Sequence, residues 1–147
     1  MKLTTRVRYA TMSLLDLALH QGEGPVQLKD IARRQEISRQ YLEQLIGPLI
    51  TGGLIKSIRG AKGGLWLARK PHEIKLSRVI ELLEGGITLV ECVTNPTACA
   101  RSGTCATRDI WCDMKNAVDG VLEATSLQDL VARHRQKTSQ KQDMYHI

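Results

Sequence analysis

Two runs of helical periodicity joined by a short turn constrain this chain more than any other feature. In VQLKDIARRQEIS, Leu28, Ile31 and Ala32 fall on one face, and in RQYLEQLIGPLITGGLI, Leu42, Leu45, Ile46 and Leu49 follow the i, i+3, i+4, i+7 pattern of a buried stripe. Ile37 sits in the turn, placed to seal the joint. Ser38 precedes the second run as an N-cap, since its hydroxyl can accept an otherwise unpaired backbone N–H. The arrangement is helix, turn, helix. Opposite the apolar stripe, the second helix carries Gln40, Glu43, Gln44 and Gly47. Polar side chains there suit a major-groove reader: Gln pairs with adenine, Glu accepts from the cytosine amine, and Arg39 reaches guanine or a phosphate. An ordinary amphipathic helix with a solvated face has the same pattern, so the segment that follows carries the decision.

That segment, LIKSIRGAKGGLWLARK, reads as two short strands around GAKGG, with Arg59 and Lys62 at the tip and Gly60, Gly63 and Gly64 supplying the backbone freedom of a tight loop. A hairpin directly after a helix-turn-helix is a wing, and a cationic tip grips phosphates or enters the minor groove. Two residues fit less well. Glu36 stands in the turn, where glycine is easier if a positive φ is required. Pro48 falls inside the second helix and removes one backbone hydrogen bond, so a kink or an early end is expected there.

The charge balance points the same way. The net charge of +6 lies entirely in residues 1–90, where 14 Lys and Arg face 8 Asp and Glu, while residues 91–147 carry 7 of each. A basic half beside a neutral half suggests an anionic partner, although a solvated basic surface gives the same count. With 42% hydrophobic residues but no Phe, Leu, Ile, Val and Ala must fill the core. The N-terminal stretch is not a signal peptide by pattern, because Asp16 interrupts its apolar run and no small-residue cleavage site follows. No stretch reaches the length of apolar sequence a membrane span needs. A cytoplasmic protein with no membrane partner is expected.

After RDIW the chain reads as a long helix with Ile110, Met114, Ala117, Val118 and Val121 in an apolar stripe, and Trp111 and Leu122 at its margins. Such a stripe either packs on its own head or pairs with a second chain. The pairing is favoured because two-fold dimers set two reading helices about one DNA turn apart. TSLQDLVARHR opens a further helix, with Ser126 as N-cap and Asp129 in its first turn, and the polar remainder is expected to fray.

All four cysteines lie between Glu91 and Cys112, separated by six, five and six residues. Structural disulfides are disfavoured in a reducing compartment. Structural zinc sites usually pair their cysteines at gaps of two to four residues, and redox chemistry of the thioredoxin type wants Cys-x-x-Cys. Neither pattern is present. An iron–sulfur cluster is larger, and a loop with wide gaps suits it better, but spacing alone leaves the question open.

MKLTTRVRYA…LLDLALH, DIARRQEIS, YLEQLI, IRGAKGG, then Cys92, Cys99 and Cys105 ahead of TRDIW and TSLQDLV, together resemble the bacterial IscR/NsrR-type family of winged-helix regulators, over residues 1 to about 134. The resemblance implies a homodimeric transcription regulator. It implies that Cys92, Cys99 and Cys105 hold a two-iron or four-iron cluster (2Fe-2S or 4Fe-4S), and that Ser38, Gln40, Tyr41, Glu43 and Gln44 read DNA with Arg59 at the wing. Some members lack the cysteines and respond to protein contact or small molecules. The chain departs from the family at the fourth ligand: the IscR branch has His three residues after the third cysteine, where this chain has Arg108, and other branches have an acidic residue near the start of the first helix, where this chain has Arg8. Cys112 is then the candidate. It lies seven residues beyond Cys105, about 10 Å along a helix axis, unless the helix begins late or Cys112 serves the partner chain. A small buried hydrophobe is the competing role for it.

The expected architecture is mainly α with a small β-hairpin wing. A winged helix-turn-helix head spans residues 1–84, a cysteine-bearing loop 85–106, a dimerisation helix and C-terminal helix 107–134, and a polar tail 135–147. The expected function is a homodimeric regulator that binds double-stranded, pseudo-palindromic promoter DNA and senses cluster status or redox and nitrosative stress. The alternative is a cluster-free regulator controlled by a protein partner or by thiol oxidation. An enzyme is excluded by pattern: the four His are scattered at His20, His72, His134 and His146, and IRGAKGG belongs to a hairpin rather than to a phosphate-binding strand-to-helix turn.

Overall fold

The structure is a computed structural model that describes residues 2–146. The elements run α1 (Thr5–Leu19), α2 (Leu28–Gln35), α3 (Arg39–Thr51), β1 (Ile55–Ile58), β2 (Gly64–Leu67), a 3-10 turn (Pro71–Glu73), α4 (Leu76–Glu84), α5 (Glu91–Thr94), a second 3-10 turn (Pro96–Ala98), α6 (Ala106–Ala124) and α7 (Leu127–Tyr145).

The head is built on α1. The Thr4 hydroxyl accepts from the Val7 N–H to start it, and Val7, Ala10, Leu14 and Leu17 line its buried face. The stripe Leu42, Leu45, Ile46 and Leu49 is buried as the periodicity predicts, and Ile31 and Ile37 join it in one core with Ile74, Val79, Ile80 and Leu83. Ser38 caps α3 as expected, accepting from Tyr41 N at 3.2 Å. Glu36 does take the left-handed conformation, at φ 54°, a strain that a residue with a Cβ bears and glycine would not. Pro48 lies inside α3, yet the helix continues to Thr51. The carbonyl that loses its partner is that of Gln44, four residues back on the exposed side, where water can take the place of the missing N–H.

The wing is an antiparallel pair, Ile55 opposite Leu67 through Ile58 opposite Gly64. It is not free-standing. Val26 and Leu65 exchange backbone hydrogen bonds of 2.8 Å in both directions, and the Gln27 side-chain amide donates to the Gly63 carbonyl. The start of the helix-turn-helix and the wing are therefore one unit. Gly63 is required by crowding: a Cβ there would lie 2.0 Å from the Ile58 carbonyl oxygen, a backbone atom that cannot yield without opening the hairpin. Gly63→Ala is expected to destabilise the head by about 2 kcal/mol and to weaken DNA binding with it, measured by urea unfolding beside a promoter-fragment titration. A fully stable variant would mean that the loop accommodates the methyl.

Three features differ from the sequence-based expectation. The head does not end at residue 84: Leu127 and Val131 of α7 are buried in its core, and Leu76 N and Leu127 N donate to Thr125 O and Ile74 O at 3.0 and 2.8 Å. The segment expected to be a long loop contains α5 and a 3-10 turn. The tail expected to fray is helical, because α7 runs unbroken to Tyr145. It has no Gly or Pro, most of its residues are good helix formers (Leu, Gln, Arg, Lys, Ala and Met), and a Ser126–Asp129 capping box starts it, the Ser126 N–H and hydroxyl both bonding the Asp129 carboxylate. No helix among the described residues is long and apolar enough to cross a membrane.

Candidate nucleic-acid interface and cysteine loop

The polar face of α3 is open to solvent. Ser38, Arg39, Gln40, Glu43, Gln44 and Gly47 are all exposed, while the stripe one turn-face away is buried. Arg39 Nε lies 3.4 Å from Glu43 Oε1, with both side chains more than half exposed. The pair is screened by water and contributes little stability, so both groups stay available to another partner. Tyr41 is half-buried, with its ring set edge-on against Tyr9 of α1 at 6.0 Å between centroids. Arg59 and Lys62 stand exposed at the wing tip. The eight residues singled out for DNA contact therefore lie on α3 and the wing, and seven of them are exposed.

Sequence reasoning missed what fixes this surface. Asp16, 1% exposed, accepts two bonds from the Arg34 guanidinium (2.6 and 2.9 Å) and one from the Gln35 amide (2.9 Å), which clamps α2 to α1. Burial pushes the Asp16 carboxyl up, but the bonds from Arg34 and Gln35 outweigh it and hold the group below its ordinary value of 3.8. The signal was present: Asp16 stands among the buried positions Ser13, Leu14 and Leu17, where a charge needs a partner.

The cysteine loop lies between the head and α6. Cys92 sits on α5, Cys99 follows the second 3-10 turn, and Cys105 is the N-cap of α6. All four cysteines are free thiols; Cys99 is exposed and the other three are partly covered. Arg108 Nε donates to the Cys92 carbonyl at 3.0 Å, tying α5 to α6. The Cys105 thiol is pulled below its ordinary value, chiefly by its 3.2 Å hydrogen bond with the Thr107 hydroxyl and then by the Arg108 backbone N–H. Because α6 begins at Ala106, immediately after Cys105, Cys112 lies about 10 Å up the axis. The structure does not bring Cys112 to Cys105. Arg8 is exposed on α1.

A cofactor on this loop can be tested against the donors present. Among the described residues, no three His, Cys, Asp or Glu side chains stand together as a site for a single metal ion. Three thiols carried by separate turns of one loop, one of them polarised at a helix start, fit in chemistry the thiolate ligand set of an iron–sulfur cluster.

Helix α6 has no buried residue. Ile110, Trp111, Met114 and Val121 are 55, 37, 45 and 66% exposed, so the apolar stripe is not covered by its own head. Ser77 of α4 donates to Glu123 near the far end of α6, which joins that end to the head.

Gln44→Ala is expected to weaken binding to the cognate promoter about tenfold and to relax base preference at one position. Arg59→Ala should weaken specific and random duplex alike and lower the salt dependence by about one counterion. Titrations at several salt concentrations check both; indifference to both substitutions would remove α3 and the wing as the interface.

The comparisons with known proteins agree with this geometry. The family profile described as "Rrf2: Iron-dependent Transcriptional regulator" matches residues 3–133. The chain is 46% identical over 131 residues to Protein rrf2 of Nitratidesulfovibrio vulgaris, covering 89% of this chain and 87% of the relative. Among solved structures, it resembles CymR, titled the global cysteine regulator of B. subtilis (TM-score 0.79, 40% identity, 90% of this chain and 98% of that one). It also resembles T. potens IscR (TM-score 0.75, 39% identity, 91% and 88%). With an exposed polar face on α3, a braced cationic wing and a family match over nearly its whole length, the chain belongs to the Rrf2 family of DNA-binding, winged-helix transcriptional regulators.

Proposed function

We propose that the protein is a homodimeric regulator that reads a pseudo-palindromic promoter with Ser38, Arg39, Gln40, Tyr41, Glu43 and Gln44 in the major groove and Arg59 and Lys62 on the backbone or minor groove. In this reading Cys92, Cys99 and Cys105 hold an iron–sulfur cluster, with Cys112 apart from them on α6. When bound, such a cluster supplies a state that changes with oxygen, nitric oxide or iron supply. The protein's own residues supply the transmission. The observation that carries the reading is the Arg108–Cys92 bond. It joins the loop to the helix whose apolar stripe is uncovered, so a displacement of Cys92 bears directly on α6 and through it on the spacing of two heads. DNA contacts need register, and a small shift is enough to change affinity.

The anaerobic visible spectrum with iron and sulfide analysis tests it. The expected result is a brown protein that loses its colour in Cys105→Ala and keeps it in Cys112→Ala. A colourless wild-type protein with stoichiometric zinc, or colour retained in Cys105→Ala, rejects the ligand assignment.

A second reading is cofactor-free thiol oxidation. The lowered Cys105 thiol and the exposure of Cys99 favour it, since the thiolate is the reactive form. Mild peroxide treatment of iron-free protein would then change promoter affinity reversibly with dithiothreitol, and a Cys105→Ala variant would be insensitive.

A further inference from the structure

We propose that the head contains a binding site for a small, neutral, aromatic ligand carrying one hydrogen-bond donor, between the C-terminal end of α1 and the wing strand β2. A cavity of about 290 Å³ lies there, with walls formed by Leu17, Pro25, Val26 and Leu67, the Trp66 indole and the His20 imidazole. A cavity of about 150 Å³ suffices for benzene, so this one has room for a one- or two-ring compound.

The ligand class follows from the lining. None of the lining residues is Asp, Glu, Lys or Arg, in a chain that carries 36 such residues (21 basic and 15 acidic). An ion would enter without a counter-charge, and that cost selects a neutral occupant. Trp66 offers a half-exposed aromatic wall, on which a flat ring gains more than an aliphatic group of equal area. His20 decides the polarity of the hydrogen bond. Its Nδ1 lies 2.7 Å from the Asp16 carbonyl oxygen, which can only accept, so Nδ1 carries the proton. Where the ring is neutral, Nε2 is then an acceptor, and a ligand N–H or O–H matches it.

The site bears on the wing. Val26 is bonded through its backbone to Leu65, Leu67 continues the same strand, and Gln27 beside it holds the Gly63 carbonyl. An occupant wedged between α1 and these residues therefore alters how the wing sits against the reading helix. The proposal adds a small-molecule input that does not depend on the cysteine loop.

Indole is the probe, with 1-methylindole as a ring of nearly the same shape that lacks the donor. Calorimetry and ligand-observed NMR on the intact chain are expected to show one saturable indole site per chain. 1-Methylindole should bind about fivefold more weakly. Trp66→Ala should weaken both compounds about fivefold or more, and His20→Leu should erase the difference between them. Saturating indole should change affinity for a promoter fragment about fivefold. Absence of saturable binding, equal binding of the two compounds to the wild type, or no effect of Trp66→Ala overturns the site. The comparison of the two compounds needs no variant and stands even if a substitution unfolds the head. Unchanged DNA affinity at saturation overturns the coupling to the wing.

Discussion

Ile110→Glu combined with Val121→Glu is expected to leave a folded monomer that binds a pseudo-palindromic promoter about 100-fold more weakly than the wild type, or worse. The two side chains are 55 and 66% exposed in the single chain, so neither supports the head. They lie eleven residues apart, about three helical turns, and therefore on one face with Met114 and Ala117 between them. Pairing that face with its copy would bury the stripe, and two carboxylates placed in it would have to be desolvated opposite two more. The effect on DNA follows from geometry. The second head of a dimer binds at the high local concentration set by the first, and a monomer loses that advantage entirely. Sedimentation velocity, circular dichroism and a promoter titration check the three parts. A variant that stays dimeric would move the interface elsewhere on the molecule, whatever happened to its DNA affinity.

Arg34→Met should cost about 3 kcal/mol of folding stability at neutral pH. The substitution leaves the Asp16 carboxylate, 1% exposed, with the Gln35 amide as its remaining strong donor. The estimate is at the low end for a broken buried pair because Arg34 itself is 29% exposed and partly solvated. The pH dependence sharpens the expectation. In the native protein the carboxyl is held below its ordinary value, so the folded state binds its proton less readily than the unfolded state. The stabilisation is complete well above the ordinary value of 3.8 and is lost as pH falls through it toward the native value. Without Arg34, burial is opposed only by the Gln35 bond and the nearby His20, so the carboxyl titrates higher and acid now relieves the variant of a buried charge. Urea unfolding at pH 7 and at about pH 4 should show the gap between wild type and variant narrowing on acidification. A gap that stays constant would mean that the carboxylate is not the group the guanidinium serves. Because α2 is clamped to α1 through this pair, hydrogen exchange should accelerate first in α2.

Helix α3 was legible because its constraints are local. The buried stripe at Leu42, Leu45, Ile46 and Leu49 and the Ser38 cap follow from rise per residue and from one unpaired N–H, and the structure has both. The hairpin was legible for the same reason. The clamp at Asp16 was not, because its donors lie 18 and 19 residues away and the sequence does not say which arginine turns inward. The Gln27 bond to Gly63 was not legible either, because its partner stands 36 positions on. In the cysteine loop, spacing alone left the question of ligands open, and only the family resemblance singled out Cys92, Cys99 and Cys105. Nor could spacing tell that α6 starts at Ala106, which separates Cys112 from Cys105.

By itself, then, the order of residues determined a helix-turn-helix, a glycine-tipped wing, the placement of basic charge in the first 90 residues and the existence of an amphipathic helix after Cys105. These are properties of periodicity, capping and composition, which act over a few residues. Only the tertiary structure decided that Leu127 and Val131 return to complete the head, that Asp16 holds α2 in place, and that the stripe on α6 is left uncovered. Each of those is a contact, or the lack of one, between segments far apart in the chain. Burial and pairing at that range depend on how whole elements pack, which no local pattern records.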